Sequence, residues 1–255
     1  MLNEQDIKVA VISKLRNRGA VGHSVIVNEM VFGGRDRRAD LVVANGHLQA
    51  FEIKSDVDSL SRLAGQVDHY LSYFDKLTLV VSSKYVGQAL ATDERVGVWE
   101  AKCKNGYAVL SVKRAGRIQP IANKANLCGF LHKIDLERLL RMAGVRDISR
   151  EAPREVLSLE TSRLPLSVIR KTVIDTVKDR YRVLSDNLLS SCKSEISTSD
   201  LAMLSKSKTK RRELEERFGQ SDARSSLPVR QLNLARFFPD GNIPDSIPRY
   251  IRVPG

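Results

Sequence analysis

The chain has 255 residues, 42% of them hydrophobic, and a formal net charge of +12. This suits one large domain or a catalytic domain with a smaller companion around a true core, and excludes a membrane span, since no apolar run approaches the roughly 20 residues required. Three scattered cysteines (Cys103, Cys128 and Cys192) exclude a disulfide framework or a CxxC zinc site, and aromatics at 5% argue against a large base-stacking platform.

The first residues, Met1 to Asp6, lack the basic and apolar regions of a signal peptide, so a reducing cytoplasm is the expected setting. Residues 4–18 predict a helix: Asn3 is placed to cap it, and Ile7, Val9, Ala10, Val11, Ile12 and Leu15 give an apolar stripe. Residues 24–32, rich in β-branched side chains, predict a strand, followed by a charged turn through Arg35, Asp36, Arg37 and Arg38. Two apolar runs at about 39–45 and 47–54, joined by Asn45-Gly46, predict a hairpin with a type I′ turn.

A second helix is expected over 58–74, capped by Asp58 or Ser59, with Leu60, Leu63, Val67, Leu71 and Phe74 on one face. A buried strand at 77–82, a short helix near 84–92, and strands at 96–102 and 107–112 follow. Beyond residue 131 the period becomes helical, with a charged connection over 147–163 and helices over 166–189 and 199–218. Lys206 to Arg212 reads as solvated, and the prolines from Pro239 onward predict an irregular end. The expected class is α/β, a mixed sheet flanked by helices, with a domain over 1–115 and a basic, mainly helical region over 116–255.

The basic excess is shared along the chain: residues 1–145 carry 21 Lys+Arg against 15 Asp+Glu, and residues 146–255 carry the same numbers. Such an excess favours a polyanionic partner, because neutralised phosphates release counterions.

The chemistry concentrates at 38–54. Asp40 stands at the mouth of one strand, and the next ends Glu52-Ile53-Lys54. Alternation along a strand projects Glu52 and Lys54 together, and the hairpin folds Asp40 back towards them. Two carboxylates supply hard oxygen ligands suited to Mg²⁺ or Mn²⁺.

Asp40, an 11-residue gap and Glu52-Ile53-Lys54, on an α-β-β-β-α-β order, resemble the PD-(D/E)XK nuclease superfamily over about residues 1–102. The Holliday-junction-resolvase-like and RecB-nuclease-like members are the nearest in pattern. Residue 39 is Ala where the motif has Pro. Gln66-Val67-Asp68-His69-Tyr70 matches the QxxxY pattern of the RecB-like branch, with Gln66 and Tyr70 on one helix face.

The resemblance implies a restriction-endonuclease-like core and metal-dependent DNA cleavage leaving 5′-phosphates. Asp40, Glu52 and the Ile53 main-chain carbonyl would hold the metal, and Lys54 would assist water attack. It also implies an earlier acid, for which Glu29 on the first strand and Glu4 on the first helix both stand, Glu29 favoured because an unpaired carboxylate among apolar residues is costly. Gln66, Tyr70, Arg38 and Arg62 are candidate supports or nucleic-acid contacts. An Asp58–Arg62 pair four residues apart is the plainer expectation for Arg62.

His23, His47, His69 and His132 show no metal-ligand spacing, and no Ser-His-Asp or Cys-His constellation exists. The expected partner is DNA, with no membrane, and a homodimer or partner protein through the C-terminal helices. The rival expectation is a non-catalytic DNA-binding or scaffolding protein on the same fold, in a phage-defence or mobile-element system.

Overall fold

The structure, a computed structural model, describes residues 2–19, 24–33, 37–145, 149, 151–191, 196–204, 229–231 and 250–252. Helix α1 (Glu4–Asn17) starts at a reciprocal cap: Asn3 Oδ1 accepts from the Asp6 N–H at 2.9 Å, and Asp6 Oδ2 accepts from the Asn3 N–H at 3.1 Å. Strands β1 (Val25–Phe32), β2 (Arg37–Ala44) and β3 (Leu48–Lys54) form an antiparallel meander. Helix α2 (Leu63–Tyr73) then crosses to β4 (Lys76–Ser82), which pairs parallel with β3. A 3-10 turn and the short α3 (Val86–Leu90) lead to β5 (Gly97–Lys104), parallel to β4, and β6 (Tyr107–Arg114) closes the sheet antiparallel to β5.

The result is a mixed α/β protein with six strands in sequence order. One core, on the α2 side, collects Val27, Val42, Ala50, Val67, Leu79 and Val98. The other, beneath α1, collects Ile7, Val11, Ile26, Leu41, Phe51, Ile53, Val80 and Trp99. No described helix is long and apolar enough to cross a membrane.

Several local expectations change. The loop at 45–47 has three residues, with Ala44 paired to Leu48 and only Gly46 at positive φ (101°), so it is not the expected two-residue type I′ turn. Asn105-Gly106 does have both φ values positive (52° and 85°), between the paired Lys104 and Tyr107. Helix α2 begins five residues later than its apolar pattern suggested. Asp58 does not cap it but closes the preceding turn, accepting from the Ser55 N–H at 2.7 Å and Ser55 Oγ at 2.6 Å.

The charged stretch read as a connection contains α6 (Arg154–Thr161), which buries Leu157. It follows α4 (Lys124–Cys128) and α5 (Lys133–Met142) and precedes the long α7 (Leu166–Ser191). Of the helix expected over 199–218, residues 200–204 form a 3-10 turn and the remainder lies outside the described residues, as does the Lys206–Arg212 stretch.

The compact division falls after Lys206, not after residue 115. Helices α4 to α7 are built into the same cores as the sheet: Leu136, Leu157, Ile169 and Val173 join the first and Leu188 the second. Ser185 Oγ accepts the Ile26 N–H at 3.0 Å, which satisfies a donor of the edge strand β1. The second unit, Ser207–Gly255, contains β7 (Val229–Gln231) paired antiparallel with β8 (Tyr250–Arg252), a short strand inside the end expected to be irregular.

Candidate functional site

Ala50 packs in one core and Phe51 and Ile53 in the other, so alternation puts Glu52 and Lys54 on the α2 side of β3. The β2–β3 ladder ends at Leu41 opposite Phe51. Just beyond, Asp40 Oδ2 accepts the Ile53 N–H at 2.7 Å, using a donor that the ladder leaves open. Lys54 Nζ lies 2.8 Å from Glu52 Oε1, with both side chains largely buried. The Tyr70 hydroxyl donates to Glu52 Oε2 and stands 3.3 Å from the Arg38 carbonyl. Its ring packs against Phe32 at 5.2 Å between centroids, which anchors α2 over this end of the sheet. Burial first, and then the Glu52 charge, pushes the Tyr70 hydroxyl far above the ordinary phenol range, so it remains a donor.

Glu29 and Asp40 sit where the strands change phase. Val25 and Val27 face the first core, but so do Met30 and Phe32; Val42 and Ala44 face it, but so does Ala39. The pairing is unbroken on either side (Asn28 with Leu41, Met30 with Ala39), which places Glu29 opposite Asp40. Glu29 adopts φ 56°, and one residue outside the β region resets the period of two. A non-glycine residue there costs on the order of 1–3 kcal/mol, a strain that often marks functional sites.

Burial, and next the Glu52 charge, raises the Asp40 carboxyl to about 7, although the Ile53 N–H opposes this. Glu100 on β5 makes the contrast. It has Lys113 at 2.9 Å, Lys102 at 3.3 Å and Ser111 at 3.2 Å, and it is held near 2, chiefly by Lys113, with burial a smaller influence than at Asp40. Glu100 is a compensated structural carboxylate, whereas the Asp40–Glu52 pair retains unbalanced negative charge.

A test follows from the sign of the Asp40 shift. The folded protein keeps this proton up to about pH 7, whereas the unfolded chain releases it near pH ~4. Folding is therefore penalised progressively as pH rises through that window, and fully above it. Without divalent metal, Asp40→Asn is expected to raise the melting temperature roughly 2–6 °C more at pH 8 than at pH 5. Equal effects in melts at the two pH values would remove the claim.

The remaining candidates divide. Arg38, Arg62, Gln66 and Tyr70 line one cavity with Arg37 and Gly65, about 630 Å³ in volume. Glu29 turns to Arg38 (3.3 Å) and Lys8 (3.7 Å), and Glu4 also meets Lys8 (2.6 Å). Among the described residues, no three His, Cys, Asp or Glu side chains group closely enough to hold an ion by themselves. The expected third acid, Glu29 or Glu4, is therefore engaged with Lys8 in this arrangement and not gathered with Asp40 and Glu52. Arg35 and His23 lie outside the described residues. Sequence reasoning missed Lys8, fully buried in α1, whose one signal is an ammonium four residues after Glu4 between Ile7 and Val9.

Fold and site together define a mixed α/β protein whose six-stranded sheet carries a buried acid–lysine cluster beside an arginine-lined cavity. The chain belongs to the family described as Bacteriophage P4 protein cII, which matches residues 1–205. It is 41% identical over 219 residues to Protein cII of Enterobacteria phage P4, covering 84% of this chain and 82% of that protein. Among solved structures, a protein of unknown function from Silicibacter pomeroyi is similar at 20% identity and a TM-score of 0.38, covering 60% of this chain and 99% of the other.

Proposed function

We propose that the chain is a metal-dependent nuclease of PD-(D/E)XK type, with a restriction-endonuclease-like core, that hydrolyses phosphodiester bonds in DNA. The observation that carries this reading is the meeting of Asp40, Glu52 and Lys54 around the Ile53 peptide. The element order α1-β1-β2-β3-α2-β4 supports it, as does the cavity lined by Arg37, Arg38 and Arg62.

The donor set fits a hard divalent cation. Asp40 and Glu52 offer oxygens, and burial together with the Glu52 charge, which raise the Asp40 carboxyl, disfavours a second negative charge there that a cation offsets. Asp40, Glu52 and the Ile53 carbonyl would hold Mg²⁺, or Mn²⁺ in its place. When bound, the ion supplies a water of lowered pKa and stabilises charge developing on the phosphate. Lys54 orients that water and offsets phosphate charge, while the Tyr70 hydroxyl fixes the Glu52 carboxylate. Arg37, Arg38, Arg62 and Gln66 position the backbone without reading sequence.

A second reading, DNA binding without cleavage, draws on the engagement of both Glu52 oxygens by Lys54 and Tyr70. The phage source of the similar Protein cII supports a mobile-element setting for either reading.

Incubating the purified chain with duplex, single-stranded and junction DNA, and with RNA, in Mg²⁺ or Mn²⁺ separates the two. Cleavage of at least one DNA form, abolished by EDTA, is the expected result. Binding with no cleavage of any form in either metal leaves the second reading.

A further inference from the structure

We propose that Lys8 is a built-in cation that takes the place of a second metal ion, so that the centre binds one divalent ion per chain. This rests on the metal-centre reading above. The Lys8 side chain is completely buried, yet it ends among carboxylates: Nζ is 2.6 Å from Glu4 Oε1 and 3.7 Å from Glu29 Oε1. A buried ammonium costs several kcal/mol unless opposite charge surrounds it, so helix α1 retains it only with these acids in place. Nζ is held by the two carboxylates as an ion pair, closely by Glu4 and more distantly by Glu29.

The placement is specific. Glu29 stands opposite Asp40 across the β1–β2 pairing, at the one non-glycine residue of β1 with positive φ. Glu4 and Lys8 both lie within electrostatic reach of Asp40. The four carboxylates of this neighbourhood thus separate into two pairs. Glu4 and Glu29 share Lys8, with Arg38 also on Glu29, whereas among the described residues Lys54 pairs with Glu52 and Asp40 has no ion-pair partner of its own. A divalent ion fits the undercompensated pair. A second ion at Glu4 and Glu29 would have to displace the ammonium that already occupies the space between them, itself at 0% exposure.

The stoichiometry of Mn²⁺ binding tests this, read by electron paramagnetic resonance and calorimetry on the full chain, with no substrate and no activity measurement. Wild type is expected to bind one Mn²⁺ per chain. Lys8→Met, which strips the charge from between two acids, is expected to bind two and to gain more in melting temperature from Mn²⁺ than wild type does. Lys8→Arg, keeping the charge, is expected to stay at one.

Two ions in wild type, or one in folded Lys8→Met, overturns the proposal while leaving the metal centre intact. No Mn²⁺ bound by wild type or by Lys8→Met overturns the metal-centre reading and this proposal with it. If Lys8→Met does not fold, Lys8→Gln, uncharged but still able to donate to a carboxylate, carries the same count.

Discussion

Glu52→Gln is expected to lower DNA cleavage at least about a thousandfold while leaving DNA affinity within a few-fold of wild type. Gln keeps the length of the side chain and an oxygen that can accept from Tyr70 or Lys54, so the fold is preserved. On the proposed reading, what is lost is one of two anionic metal ligands, and metal stabilisation of the transition state amounts to several kcal/mol, each ~1.4 kcal/mol being tenfold in rate. On the same reading, affinity would rest elsewhere, on the arginines of the neighbouring cavity and the distributed positive charge. Removing the Glu52 charge also removes the second-largest cause of the raised Asp40 carboxyl, which should fall below about 7. Single-turnover cleavage and a binding titration at matched salt check both halves. Full activity in Glu52→Gln would eliminate the metal-centre reading.

Asp75→Ala is expected to destabilise the protein by roughly 3–5 kcal/mol, the largest stability effect of any single change considered, because it breaks a buried charge pair from one side. Asp75 stands between α2 and β4 and is 2% exposed. Its Oδ2 accepts the Leu48 N–H at 2.8 Å and its Oδ1 the Ile121 N–H at 2.9 Å, while Arg170 of α7 donates to both oxygens at 2.8 and 3.2 Å. Alanine leaves two buried N–H groups and a guanidinium without this acceptor. Arg170→Met should cost less, since the carboxylate keeps its two backbone donors, and the double variant should recover part of the sum. Urea unfolding of the four proteins measures this coupling, and a loss below about 1 kcal/mol in Asp75→Ala would show that α7 is not pinned through this residue.

These two residues differ in how far the sequence exposes them. Glu52 is legible because a charge at the end of an apolar strand conflicts with burial, and Lys54 two residues later shares its face. Asp75 is a lone acid between a helix and a strand, and nothing local distinguishes it from a solvated turn residue. Its partners lie 27, 46 and 95 residues away in the chain. Similarly, Tyr70 and Gln66 could be set on one helix face from their spacing, but the bond from Tyr70 to Glu52 depends on how Phe32 seats α2.

The sequence by itself determined the elements from α1 to β6, the hairpin that brings Asp40 toward Glu52 and Lys54, and the even spread of positive charge. The elements follow from local periodicity, which acts over a few residues, and the charge spread from composition, whereas the turn at 45–47 took another form than its Asn-Gly pair predicts. Only the tertiary structure decided that α4 to α7 share the cores of the sheet, that Glu29 leaves the β region opposite Asp40, and that Glu4 and Glu29 converge on a buried Lys8. The physical reason is the same throughout. Which charges end up buried together depends on contacts between segments far apart in the chain, and no local pattern carries that information.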